Sequence, residues 1–117
     1  MAITIKETSR EFSKVELYLM TSAPNIKSLK DIEDGTSIPV AGWLTFDDEK
    51  NGTISTITSI ITPDKEVYAF QSATARRSLV EVSDIMGDEL YSVVKLSGLT
   101  KAGRPYINLT LDVDSIQ

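Results

Sequence analysis

The sequence predicts a small, mainly β domain of the α+β kind, and three observations carry that prediction. Runs rich in Ile, Val and Thr recur at strand length, residues 53–62 being the clearest. Turn pairs such as Asp34-Gly35 and Asn51-Gly52 punctuate them. One segment, residues 72–87, repeats its apolar side chains at helical spacing. The 117 residues, 41% hydrophobic and 25% charged, suit one globular domain over residues 1–117, long enough to bury a core without staples.

Taken in order, residues 1–11 carry no firm pattern and are expected to be mobile. Residues 12–20 alternate loosely and read as an extra N-terminal strand, ended by residues 21–25 with Pro24. Residues 31–35 form an acidic turn. Residues 37–46 read as the first strand of the main sheet, with Val40, Leu44 and Phe46 on one face and Ala41 and Trp43 on the other. Pro39 near its start suits an edge. Residues 47–52 are a polar loop, residues 53–62 the second strand, and residues 66–70 the third, after the turn Pro63-Asp64-Lys65.

Ser72 or Thr74 can cap the helix that follows, whose stripe is Ala75, Leu79, Val82 and Met86, and Gly87 can end it in a left-handed conformation. Residues 90–97 and 106–113 are two further strands. The second points Ile107, Leu109, Leu111 and Val113 inward and Tyr106, Asn108 and Thr110 outward. Between them, residues 98–105 read as a long flexible hairpin loop. A three-strand meander, a helix between strands 3 and 4, and a closing hairpin is the order of the OB-fold, a five-stranded, partly open barrel. Here the extra N-terminal strand precedes it.

The composition excludes most catalysis. Without Cys or His there is no thiolate nucleophile, no imidazole base and no His- or Cys-ligated metal. The run Asp47-Asp48-Glu49 could hold a hard cation, as a metal-dependent nuclease requires, but it lacks the spacing of a calcium loop and reads as a solvated loop. No glycine-rich phosphate loop is present. The chain is therefore read as a non-enzyme without a cofactor. No segment approaches the roughly 18 apolar residues that span a bilayer, and the first residues lack the apolar stretch of an export signal, so a cytoplasmic location with no membrane partner is expected. The glycosylation-like triplets at Asn51 and Asn108 then read as chance matches.

A net charge of −5 counts against nucleic-acid binding, but its distribution does not. Residues 90–111 contain no acid and carry Lys95, Lys101 and Arg104; residues 67–80 contain no acid and carry Arg76 and Arg77. Single-stranded nucleic acid needs flat rings to receive bases and cations beside them for phosphates. Tyr91 and Lys95 share one strand face, Tyr106 points outward after the loop bearing Lys101 and Arg104, and Tyr68 and Phe70 share another face. Trp43 is a further ring, equally at home in a core or a subunit contact, and Phe46 and Phe70 are rings of a kind found more often in cores than stacked on bases.

The runs Ser28-Leu-Lys-Asp-Ile-Glu-Asp-Gly-Thr36, Ile38-Pro-Val-Ala-Gly-Trp-Leu-Thr-Phe46, Ile60-Ile-Thr-Pro-Asp-Lys-Glu-Val-Tyr-Ala-Phe-Gln-Ser72 and Lys101-Ala-Gly-Arg-Pro-Tyr-Ile-Asn-Leu-Thr-Leu111 resemble, in matching order, the single-stranded-DNA-binding proteins of small protein-primed podophages. The resemblance covers roughly residues 28–113. It implies an OB-fold replication accessory protein that coats and protects displaced phage or mobile-element DNA, stacking barrel tyrosines on bases. One family tyrosine falls on Tyr68 and a second on Phe46, which keeps the ring and loses the hydroxyl. A third sits in the following loop, where residues 47–52 offer no aromatic, so Trp43 or Tyr91 would substitute. With no long acidic tail after Asp114, tail-mediated recruitment of replication enzymes is not expected. The expected interface is thus Trp43, Phe46, Tyr68, Tyr91, Lys95, Lys101, Arg104 and Tyr106. The expected partners are single-stranded DNA, a second copy of the chain and phage replication proteins. The rival expectation is an OB-type protein-interaction module or phage structural component that binds no DNA.

Overall fold

The computed structural model describes residues 2–87 and 89–115. Its sheets begin from local chemistry at Asn51 and Gly52, which both sit at positive φ (52° and 79°) and reverse the chain in two residues. That turn joins β4 (Gly42–Lys50) to β5 (Thr53–Ile61) in unbroken antiparallel register from Lys50↔Thr53 to Gly42↔Ile61. β4 therefore runs through Asp47, Asp48 and Glu49, where a six-residue polar loop was expected. β6 (Val67–Phe70) pairs with β5.

The other strands are β1 (Ala2–Thr8), β2 (Lys27–Ser28), β3 (Ser37–Val40), β7 (Tyr91–Leu99) and β8 (Pro105–Leu111). They make a five-stranded sheet, ordered β1-β4-β5-β6-β2, and a three-stranded sheet, ordered β3-β7-β8. The protein is thus mainly β, with eight strands in two sheets and two helices, α1 (Lys14–Thr21) and α2 (Ala73–Met86). The sheets do not close into a barrel: among the described residues no ladder joins β6 to β8.

Three expectations about the first half of the chain give way. Residues 2–8, where no element was expected, add a strand to the edge of the main sheet, with Ile3 opposite Asp48. Residues 12–20 hold a helix where a strand was expected. Ser13 is its cap, the side chain accepting from the Glu16 amide (3.1 Å) while Glu16 accepts from the Ser13 amide (3.0 Å). This reciprocal pair satisfies helix donors that a strand would have turned to a neighbour. Residues 37–46 are two strands in two sheets, with the chain crossing over at Ala41. The crossover brings Gly42 so close to Phe12 that a Cβ would lie 2.7 Å from the ring. Arg10 fixes the corner, its Nε donating to the Ala41 carbonyl (2.9 Å) and its guanidinium lying 4.3 Å from the Phe12 ring centroid.

The two faces of the main sheet are buried separately. Trp43, Ile60 and Phe70 pack with Val40, Tyr91, Val93 and Leu109 of the smaller sheet and with Ala75 and Leu79 of α2. Leu44, Phe46, Ile61 and Val67 face the opposite way and pack with Met20 of α1. Val40 consequently joins Trp43's core, and not the face of Leu44, because the crossover intervenes. The Ser59 hydroxyl donates to the Met20 carbonyl (2.6 Å), seating α1 on the sheet.

α2 agrees with its stripe: Ala75 and Leu79 are buried, and Val82 and Met86 pack against them. Ser72 is the cap, accepting from the Ala75 amide (3.1 Å), and Gly87 ends the helix at φ 60°, ψ −123°, a glycine conformation distinct from the left-handed one expected. The start of α2 also guards the free edge of β8. Ser72 donates to the Ile107 carbonyl (3.0 Å) and Ser78 to Asn108 Oδ1 (2.6 Å). Val113, expected inward, is exposed in a closing 3-10 turn (Val113–Ser115), past the end of β8. No described helix is long and apolar enough to cross a membrane.

Candidate nucleic-acid interface

Four of the eight expected interface residues lie inside. Trp43 and Tyr91 belong to the core between the sheets, and Phe46 to the core beneath α1. Burial pushes the Tyr91 phenol above its usual range, a hydrogen bond with Ser83 offsetting part of the effect. Tyr91 and Lys95 do share a face of β7, but it is the inner one, with buried Val93 between them and Leu109 opposite Lys95. The Lys95 ammonium donates to the Ile32 carbonyl (2.6 Å) and lies 3.0 Å from Asp34 Oδ1. Both β7 faces carry apolar residues, so alternation alone could not say which turns inward.

The other four are accessible. Tyr106 is 41% exposed, its ring lying across Gly98 on the neighbouring strand, where a Cβ would come 2.7 Å from Cε1. Lys101 and Arg104 are exposed in the hairpin connection, which is shorter than expected because Leu99 still pairs with Pro105. This connection is also held in shape: Thr100 N donates to Arg104 O (2.9 Å), Gly103 N to Thr100 O (2.8 Å) and Arg104 N to Thr100 Oγ1 (3.1 Å). Tyr68, half-buried on β6, lies on the same side of the sheet as Phe70, as expected.

Two lysines that sequence reasoning passed over join these groups. β2 lies parallel to β6, with Lys27 opposite Tyr68 and its ammonium 5.3 Å from the ring centroid. Glu66 shares the position, 3.3 Å from Lys27 Nζ and 3.4 Å from the Tyr68 hydroxyl; its hydrogen bond raises the Lys27 pKa. Lys30, in the 3-10 turn (Leu29–Asp31) after β2, lines a cleft of about 510 Å³ with Ser72, Lys95, Ser97, Pro105, Tyr106 and Ile107. The step from Lys27 to Lys30 spans at most about 11 Å of chain, so Tyr68 and the cleft are neighbours along one path. No spacing rule announces a two-residue parallel pairing, which is why both lysines escaped notice.

The cleft opens where the sheets fail to meet, between the exit of β6 and β8. Two lysines, Lys30 and Lys95, line it. Lys6, Arg10, Lys27, Lys50, Lys65 and Lys95 are engaged with carboxylates. Lys14, Lys30, Arg76, Arg77, Lys101 and Arg104 form no ion pair among the described residues. Of these, Lys30 lines the cleft on a 3-10 turn that also carries Asp31, while Arg76 and Arg77 lie on α2 and Lys101 and Arg104 on the β7–β8 hairpin.

The acidic run is differently placed. Asp47 accepts from the Thr56 hydroxyl (2.8 Å) and pairs with Lys6 (3.7 Å), while Asp48 lies 4.0 Å from Lys50. No group of three or more metal-ligating side chains occurs among the described residues. Compared with known proteins, the chain matches no family model, no curated protein and no solved structure.

Proposed function

We propose that this protein binds single-stranded DNA with little sequence preference, along the open seam between its two sheets. The observation that carries the reading is the cleft itself: it has an apolar wall, a half-exposed tyrosine at its border, Lys30 in its lining with no ion pair among the described residues, and further unpaired cations on α2 and the β7–β8 hairpin. A strand passing through could stack bases on Tyr106 and, nearer β2, on Tyr68 beside Lys27. Lys30, Lys101 and Arg104 would meet phosphates. Phe46, Trp43 and Tyr91 are not part of this surface, and Lys95 lines only the inner end of the cleft, paired with Asp34.

The strand pairings support an OB-type barrel left open at one side. β4-β5-β6 is the meander, α2 follows, β7–β8 is the hairpin, and the first strand divides at Ala41 so that β3 pairs with β7 while β4 pairs with β5. In such folds the second and third strands and the last hairpin loop are common sites for oligonucleotides. The role fitting this surface is that of a coat on transiently exposed strands during phage or mobile-element replication, acting with replication proteins and with further copies of itself.

Mobility-shift titration with single-stranded DNA, duplex DNA and RNA of one length tests the proposal. Saturable retardation of the single-stranded DNA at low salt is expected; retardation of none of the three would end it. The second reading, a protein-interaction module, draws on exposed Leu90, Leu96 and Leu99 along and before β7. Capture of a partner protein that survives nuclease treatment, with no DNA shift, would favour it.

A further inference from the structure

We infer that the inner end of the cleft is a phosphodiester subsite, and that in the free protein Asp34 occupies the position a DNA phosphate takes when the strand binds. The inference rests on the single-stranded-DNA reading and specifies how one phosphate is received.

Lys95 has only 6% of its side chain exposed, whereas Asp34, its counter-ion, has 49%. A buried ammonium requires an anion and hydrogen-bond acceptors, since leaving it alone in a poorly hydrated site is strongly unfavourable. The Ile32 carbonyl supplies one fixed acceptor. The anion comes from a side chain on the water side, in the turn ahead of Gly35, which sits at φ 87°. The Ser97 hydroxyl, at 2.8 and 2.6 Å from the two Asp34 oxygens, completes the grip. An ammonium and a hydroxyl holding a two-oxygen anion are equally suited to two oxygens of a phosphodiester.

Lys95 and Ser97 both line the cleft, with Lys30 at hand, so an incoming phosphate reaches them from the solvent side. Exchanging Asp34 for a phosphate keeps Lys95 neutralised throughout. The exchange therefore avoids the unpaired buried charge that would otherwise oppose either state. Asp34 swings into water, where a half-exposed carboxylate is readily hydrated. A protein of net charge −5 could in this way hold a cation ready for DNA without presenting it permanently.

The test compares wild type, Asp34→Asn and Lys30→Ala. Labelled oligo-dT should bind Asp34→Asn about threefold or more tightly at low salt, because the competing carboxylate is gone. The log–log salt slope should steepen by about 0.7, the value for one more neutralised phosphate on a single strand. Inorganic phosphate should raise the melting temperature of Asp34→Asn and leave wild type unmoved. Lys30→Ala, on an exposed side chain, should weaken oligo-dT binding.

Equal or weaker DNA binding by a folded Asp34→Asn overturns the inference while leaving the DNA reading intact. If Asp34→Asn does not fold, Lys95→Met, which removes the receiving ammonium and leaves only the half-exposed Asp34 behind, is measured in its place, and an unchanged affinity for oligo-dT overturns the inference. If wild type and both variants ignore oligo-dT, the DNA reading fails. Phosphate-dependent melting of Asp34→Asn then decides separately whether the anion site exists.

Discussion

Tyr106 and Tyr91 show how differently two tyrosines of one sheet can be used. Tyr106 crosses Gly98 because that position has no Cβ, and with 41% of its surface in water it supports little of the fold. Tyr106→Ala should leave the melting temperature nearly unchanged and weaken oligo-dT binding by about 1–3 kcal/mol, the usual loss of one base stack. Gly98→Ala tests the same ring from below. The added methyl must push the ring aside, so affinity should fall towards that of Tyr106→Ala with the fold retained. Tyr91→Ala should do the reverse, lowering stability by about 3–5 kcal/mol in urea titration through a core cavity. A DNA-binding loss in Tyr91→Ala at a temperature where it stays folded would contradict this division of labour. The Tyr91 hydroxyl is accommodated within the core by a hydrogen bond with Ser83.

At the scale of elements, α1 depends on a carboxylate doing several things together. Glu16 completes the capping box, pairs with Arg10 at 2.8 Å and lies 3.5 Å from Lys65 in the β5–β6 turn. The Arg10 hydrogen bond, then that of the Ser13 amide, lower its pKa from 4.5 to about 2. A lowered folded-state pKa means the stabilisation is complete above the unfolded value near 4.5 and disappears as pH falls through about 2. Urea midpoints of wild type should thus drop across that window, and those of Glu16→Gln should drop less steeply from a lower starting point. Ser13→Ala should cost about 1 kcal/mol at neutral pH. The capping pattern Ser13-x-x-Glu16 was legible in the sequence and decides for a helix, but the loose alternation of residues 12–20 obscured it. The meander, α2 and the last hairpin were legible because each declares itself locally, through the Asn51-Gly52 turn, the Ala75/Leu79 stripe or the alternation before Leu111. The crossover at Ala41 and the pairing of β2 with β6 were not, since both depend on chain segments distant in sequence. For the same reason the cleft could be anticipated only through Lys95 and Tyr106, which line it, and Lys101 and Arg104 on the hairpin.

Across the whole molecule, the question is how a protein of charge −5 approaches a polyanion. Range separates the two influences. At 0.1 M salt the screening length is about 10 Å, so a strand near the seam senses chiefly the charges beside the cleft, its lysines and Asp34. At 0.01 M it is about 30 Å, comparable with the 41 × 38 × 24 Å extents of the molecule, and the distant carboxylates are then felt as well. Neutralising about three phosphates gives a log–log salt slope near −2 for a single strand. That slope should hold above roughly 0.1 M and flatten towards 0.01 M, as the growing long-range repulsion offsets the gain from counter-ion release. Anisotropy of labelled oligo-dT is the suitable readout, because Trp43 is sealed in the core and its emission should stay constant through the titration. A slope that remains straight down to 0.01 M would mean that the net charge is not felt at the seam. The acids would then have to lie so far from the strand's path, or be so well paired, that the cations around Tyr106 act as if the protein were neutral.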